Sequence, residues 1–224
     1  MHPSRLLLLI ALLIAAPAGA QVAVLRPVDQ ATDDPAFITF RGRLLAALAT
    51  RDTAAVLSAF APDARLSFGD DPPGPDGVRR LWLGPRRGSR PTLWEALTVV
   101  LGMGSVRDAT NPAFVSAPYV YNGWPADIDP FSHGAVVGEN VRVRSQPGTS
   151  GEVLATLSYA VVPVDTWGTA VGTDDVPEGW TRIRLADGRT GFVSAAYLRS
   201  PVDYRAGFEK QGGSWRIVFF LAGD

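Results

Sequence analysis

Apolar residues recur at helical spacing along the first half of the chain and in short alternating runs along the second, so two textures are predicted before any chemistry is considered. Over residues 33–60, Phe37, Phe40, Leu44, Leu45 and Leu48 fall at spacings of one to four, which puts one apolar stripe on a helix. Asp34 followed by Pro35 is a helix start, because the carboxylate accepts from free first-turn amides and proline has no amide to leave unpaired. Asp52 caps a second short helix bearing Val56, Leu57 and Phe60, and Ala61-Pro62-Asp63 should break it. Leu66 and Phe68 alternate with Arg65 and Ser67 and predict a strand, whereas the Gly/Pro-rich run 69–77 predicts a loop. A further helix is expected over 78–83. Thr92-Leu93-Trp94-Glu95 fits a capping box and starts a helix with Ala96, Leu97, Val100 and Leu101 on its apolar side, stopped by Gly102 and Gly104. Residues 111–133 carry four prolines among aromatics and predict an extended segment with at most short strands.

From Gly134 the pattern changes. Short β-branched runs at 141–144, 153–157, 161–164, 180–185 and 191–193 are separated by turn signals at Gln146-Pro147-Gly148, 174–179 and Ala186-Asp187-Gly188. Five short strands in about sixty residues predict a small β-barrel with Val141, Val143, Leu154, Leu157, Val162, Ile183 and Val193 inside. Arg142, Arg144, Arg182 and Arg184 alternate with those apolar residues and fall on the solvated face. The tail predicts a hairpin: Tyr204, Ala206 and Phe208 alternate on one strand, Gly212-Gly213 suits a tight turn, and Trp215, Ile217, Phe219 and Leu221 alternate on the return. A lone hairpin is marginal in water, so these side chains need cover, for which the N-terminal helices are available. The fold class expected is α+β. A helix-rich domain over 21–133 is completed by the hairpin of 201–224, and the small barrel of 134–200 is an insertion between them.

Composition narrows the chemistry. The 224 residues have a formal net charge of −1, and all but one of the 21 basic residues are arginine, Lys210 being the exception. Without a net basic surface, nucleic-acid binding is not expected. Having no cysteine removes disulfides, Fe–S clusters, thiol nucleophiles and thiolate zinc sites. Arg5, the apolar run 6–16 and Ala18-Gly19-Ala20 read in order as a cleaved signal peptide over 1–20, since the run is shorter than the roughly 20 apolar residues a bilayer demands. No later stretch could span a membrane, which implies a periplasmic or secreted protein.

Asn140-Val141-Arg142-Val143-Arg144-Ser145-Gln146-Pro147-Gly148 resembles the opening of bacterial SH3 domains, the SH3b or SH3 type 3 family. The strand 152–157, Gly179-Trp180-Thr181-Arg182-Ile183, the closing Gly188-Arg189-Thr190-Gly191-Phe192-Val193 and Tyr197-Leu198 follow in that family's order. Phe192 stands where the family usually has tryptophan, and residues 167–179 enlarge the loop before Trp180. The resemblance implies a non-catalytic module that binds peptidoglycan peptide or an envelope protein. Its groove candidates are Tyr159, Trp167, Trp180, Asp187 and Tyr197, because aromatics supply stacking area and a carboxylate can meet a peptide amine. Filling of the small core is the alternative role for each aromatic. More faintly, residues 44–68 and Trp215-Arg216-Ile217-Val218-Phe219 resemble the two ends of NTF2-like (SnoaL-like) α+β domains. That likeness implies a different function, a small-ligand receptor or enzyme with a pocket lined by Phe40, Phe68, Trp82 and Trp94 and with Asp63 or Asp70 as its acid. The order of helical region, SH3-like module and closing hairpin also resembles that of SH3 domain-containing envelope proteins.

Catalytic chemistry finds little support. After signal removal His133 is the one histidine, it sits in a Gly/Pro-rich connection, and no G-x-S-x-G elbow exists, so a hydrolytic triad is not expected. Asp127, Asp129 and His133 offer the carboxylate pair and imidazole that suit a divalent metal, but Pro125, Pro130 and Gly134 around them read as an ordinary polar loop. Asp70, Asp71 and Asp76 lack the spacing of a calcium loop, and no metal or cofactor is expected. Gly102-Met103-Gly104 makes no phosphate loop. Arg79, Arg80, Arg86, Arg87 and Arg90 form the one basic cluster, which either receives an anion or is solvated and balanced by Asp70, Asp71 and Asp76.

Overall fold

The computed structural model describes residues 22–85, 90–168 and 176–223. The expected signal peptide, together with Arg86 and Arg87, lies outside the described residues. The chain is mixed α+β, with strands gathered into two sheets.

Helix α1 (Pro35–Ala49) starts as its sequence dictates, Asp34 accepting from the amides of Ala36 at 2.8 Å and Phe37 at 3.1 Å. It buries Phe37, Leu44 and Leu48, with Phe40 and Leu45 half-buried beside them. Arg51, at φ 53°, then turns the chain, and Asp52 caps α2 (Thr53–Ser58) through the amide of Ala55 at 3.0 Å.

Strand β1 (Phe60–Arg65) replaces the one expected at 66–68, and it runs through the proline expected to end the preceding helix. The reason is position: β1 is a sheet edge, where Pro62 need not donate to a second neighbour. The 69–77 run is likewise not all loop, because α3 (Gly74–Val78) forms there and a π-helical turn Arg79–Leu83 continues it. Gly74, at φ 59°, lies so close to the Pro62 carbonyl that no side chain fits. Helix α4 (Leu93–Gly102) carries the complete capping box, with Thr92 N to Glu95 Oε2 at 2.7 Å and Glu95 N to Thr92 Oγ1 at 3.2 Å.

Strands β2 (Val106–Arg107) and β3 (Phe114–Ala117) and helix α5 (Tyr119–Asn122) follow, more regular structure than the proline-rich sequence suggests. The second sheet is built from β4 (His133–Val136), β5 (Val141–Arg144), β6 (Val153–Leu157), β7 (Val161–Thr166), β8 (Trp180–Arg184), β9 (Thr190–Ser194) and β10 (Leu198–Arg199). Strands β11 (Arg205–Gln211) and β12 (Ser214–Leu221) return to the first sheet, whose order is β1-β12-β11-β3-β2.

The hairpin turn of β11 and β12 is the expected one, Gly212 and Gly213 both adopting positive φ at 56° and 81°. Its alternation is not. Phe208 pairs with Ile217 and Gly207 with Phe219, so Val218 is an extra, bulged residue and everything after it changes face. Phe220 and not Phe219 therefore enters the core, while Phe219 crosses to the other face, beside Phe114 and Tyr121. The first core joins both ends of the chain: Phe37 meets Phe208 and Trp215 edge-on, with ring centroids 5.4 and 5.0 Å apart.

In the second sheet the five expected strands are present and two more, β4 and β10, pair with each other. The order is β10-β4-β7-β8-β9-β5-β6, and among the described residues no pairing joins β6 to β10, so the strands form an open curled sheet and not a closed barrel. Val141, Val143, Val162, Ile183 and Val193 are buried inside it, with Leu154 and Leu157 half-buried at the margin. A third cluster, Leu25, Tyr119, Val120, Ala135 and Val161, lies between the two sheets.

Candidate functional site

The five groove candidates do not converge on one pocket. Trp167 follows β7 and lays its indole over Gly134 of β4, where only a glycine leaves room, and against Leu198 of β10. Its backbone neighbour Gly168 donates to the Thr181 hydroxyl at 3.1 Å. On β8, Thr181 and Ile183 face inward, so Trp180 faces the opposite way, on the side of Arg182 and Phe192. Trp180 and Phe192 therefore fill no core, and the arginines beside them lie on the outer face: Arg184 reaches Asp165 at 2.5 Å and Arg182 donates to Thr166 at 2.9 Å.

Asp187 sits in the β8–β9 turn, at the far end of the hairpin from Trp180, and grips Arg189 at 2.7 Å. The Arg189 side chain and amide hold its carboxyl below the usual carboxylate range, so it is an ion-paired turn residue at neutral pH. Tyr159, at φ 56°, and Tyr197 both flank Gly138: the Tyr159 amide donates to the Gly138 carbonyl at 3.1 Å, and the Tyr197 ring lies over the glycine. Tyr197 is 51% exposed.

The cleft that does contain a candidate runs along the seam of the two sheets. Phe131, Trp167, Thr181, Leu198, Val202 and Asp203 line it, around a volume of about 460 Å³. Phe131 stands at its rim, 55% exposed. Asp203 supplies a carboxylate there, paired with Arg199 at 3.0 Å and accepting from the Tyr204 amide at 2.7 Å. This cleft brings together two aromatic surfaces and a carboxylate, that of Asp203; Asp187 does not line it. Phe131 and Asp203 carry no spacing signal, because they come from connections to either side of the module. Below the cleft Arg205 is buried, its guanidinium held by the carbonyls of Val202 at 2.9 Å and Gly223 at 2.8 Å and lying over the Tyr121 ring at 5.0 Å.

Among the described residues, Phe40, Phe68, Trp82 and Trp94 do not gather around one cleft. Phe40 is packed against Phe37 and Phe208, Phe68 is 43% exposed, and Trp82 stacks on Phe220. Trp82 and Trp94 line a cleft of about 230 Å³ next to Arg90. Asp63 and Asp70 are both exposed, so neither is a sequestered acid. Of the described arginines of the basic cluster, Arg79 pairs with Asp76 at 2.8 Å and Arg80 reaches Asp71 at 3.7 Å, while Arg90 donates to the Leu81 carbonyl at 2.7 Å and lies over the Trp82 ring. Asp129 accepts from the Ser132 hydroxyl at 2.5 Å, and that oxygen lies 3.0 Å from His133 Nδ1. The serine proton thus points at the carboxylate and not at the imidazole, the reverse of an activated nucleophile. Among the described residues no three His, Asp or Glu side chains gather as metal ligands, and no helix is long and apolar enough to cross a membrane.

The chain is thus a mixed α+β protein with two sheets, β4 to β10 forming the second and β11 and β12 returning to the first. Residues 139–199, from before β5 to β10, match the bacterial SH3 domain family. Among curated proteins none is significantly similar to the chain. A solved structure described as a calcium/calmodulin dependent protein kinase II association domain from Xanthomonas campestris is similar over 92% of this chain and 96% of its own, at 15% identity and a TM-score of 0.25. In the first sheet the two ends of the α+β fold lie side by side: β1 pairs in parallel with β12, Phe60 opposite Ile217.

Proposed function

We propose that this protein is a non-catalytic envelope binding protein that is exported, loses residues 1–20, and uses its SH3 module to recognise a cell-wall peptide or an envelope protein. The observation that carries the reading is the seam cleft, where Trp167 of the matched module and Phe131 flank the Asp203 carboxylate. Residues 21–133 with 201–224 act as the frame, and 134–200 as the inserted module. Strand pairing supports this division, because β11 and β12 hydrogen-bond to β3 and β1, whereas β4 to β10 pair among themselves. The packed aromatics of the first core favour a frame over a ligand pocket there.

Purified sacculi should retain the mature protein, and Trp167→Ala and Asp203→Asn should each lower retention at least fivefold while the melting curve still shows a folded chain. Equal recovery of wild type and both variants would remove the cleft from the reading. Export is tested by intact mass: protein from the envelope fraction should begin at Gln21, and a mass that includes Met1 to Ala20 would refute cleavage.

A further inference from the structure

The first described residues do something that neither sheet explains. Ala23, Val24 and Leu25 lie as a short antiparallel strand along Tyr159, Ala160 and Val161: the Leu25 amide donates to the Tyr159 carbonyl and the Val161 amide to the Ala23 carbonyl, both at 2.8 Å, with Val24 opposite Ala160. On the far side of the same three residues β4 pairs with Val161 and takes the Ala160 carbonyl through the Val136 amide at 2.8 Å. The segment thus closes the remaining edge of a strand whose other side is already used. Leu25 drops into the hollow between Tyr119, Val120, Ala135 and Val161, and Arg26 lays its guanidinium over the Tyr159 ring, 5.7 Å from the centroid. Pro27 then ends the strand, and the chain enters the frame, where Asp29 holds Arg41 at 2.8 Å and accepts from Ser105 at 2.6 Å.

We propose that residues 22–26 are a releasable strap, which plugs in cis a strand-docking slot on the SH3 module. In trans the slot takes an extended peptide in which an apolar residue is followed by a basic one. The occupant itself defines the recognition chemistry: two main-chain hydrogen bonds fix an extended peptide, the hollow accepts an aliphatic side chain, and the Tyr159 face accepts a cation. The attachment is light enough to open locally. Among the described residues two backbone hydrogen bonds hold it, Val22 and Val24 remain exposed, and the proline hinge leaves the Asp29 anchor in place when the strap lifts. Opening would leave the Tyr159 carbonyl, the Val161 amide and the apolar hollow bare, an edge that pairs with whatever strand is offered. The proposal rests on reading the module as a peptide binder, but it concerns a different face from the seam cleft.

The test uses the mature full-length chain and a labelled synthetic peptide with the sequence of residues 21–28. Leu25→Asp puts a carboxylate in the hollow and should unseat the strap without touching the slot. Removing an intramolecular competitor present at roughly millimolar effective concentration should then raise peptide affinity about tenfold or more over wild type. The same peptide carrying Asp at its own Leu25 position should bind neither protein. Equal peptide binding by wild type and variant, with the Ile183 amide still protected from exchange, overturns the proposal. If Leu25→Asp does not fold, hydrogen exchange on the wild type decides: the Leu25 and Val161 amides should open together and before those of Val136 and Ile183, and opening only with global unfolding overturns it. Sacculus retention separates the two readings, because a variant that gains the peptide but no sacculi keeps the slot and loses the cell-wall ligand.

Discussion

Tyr119 shows how one buried group sets a pH limit. Its ring fills the third cluster at 2% exposure, and among the described residues no partner satisfies its hydroxyl. Burial, with Tyr159 nearby, pushes its pKa up to about 12 from an ordinary value near 10. Burial raises Tyr204 in the same direction. A folded-state pKa above the unfolded one means that the native state holds its proton longer, so this contribution is complete below pH 10 and is lost as pH rises toward 12. Tyr119→Phe should therefore flatten the loss of stability over that range. At pH 7 it should leave stability unchanged or raised by about 1 kcal/mol, since it deletes a buried hydroxyl with no bonding partner among the described residues. A drop of several degrees in the pH 7 melting temperature would show that the hydroxyl has a partner. Gly207 makes the complementary point: the Phe219 and Phe114 rings occupy the space a Cβ would need, so the glycine exists for its neighbours and not for its own backbone angles.

At the scale of elements, the signals that proved legible are those whose partners lie within four residues. Asp34, Asp52 and Thr92 cap the helices that follow them because the amides they accept from are adjacent in sequence. Thr92→Ala should cost about 1 kcal/mol in urea unfolding with an unchanged slope, and no change would mean that packing of Leu93 and Leu97 alone holds α4. Gly212-Gly213 was legible for the same reason, its positive φ values being a local demand. The alternation of β12 was not, because the bulge at Val218 fits a register imposed by β11 and changes which aromatics are buried. Nor was Pro62 as a strand residue, since that depends on β1 having a free edge.

For the whole molecule, the hairpin of β11 and β12 is the decisive element, because it stands between β1 and β3 and buries Phe208, Trp215, Ile217 and Phe220. Truncation after Ser200 should strip the first sheet of its centre, abolish the cooperative melt of that part and increase binding of a hydrophobic dye. The second sheet should keep the Ile183 amide protected. A truncated chain that melts like wild type and binds no more dye would show that the hairpin is dispensable.

The sequence by itself determined the helix starts, the β-rich texture after Gly134, the SH3 motifs and the glycine turn, because each is written in neighbouring residues or in a fixed period. Tertiary structure alone decided the rest. It set Asp203 and Phe131 beside Trp167, turned Trp180 away from it, left the second sheet open, and laid Ala23 to Leu25 along Tyr159 to Val161. These are meetings of segments many residues apart, fixed by which edges and hollows remain uncovered once the strands have paired, and no local pattern records them.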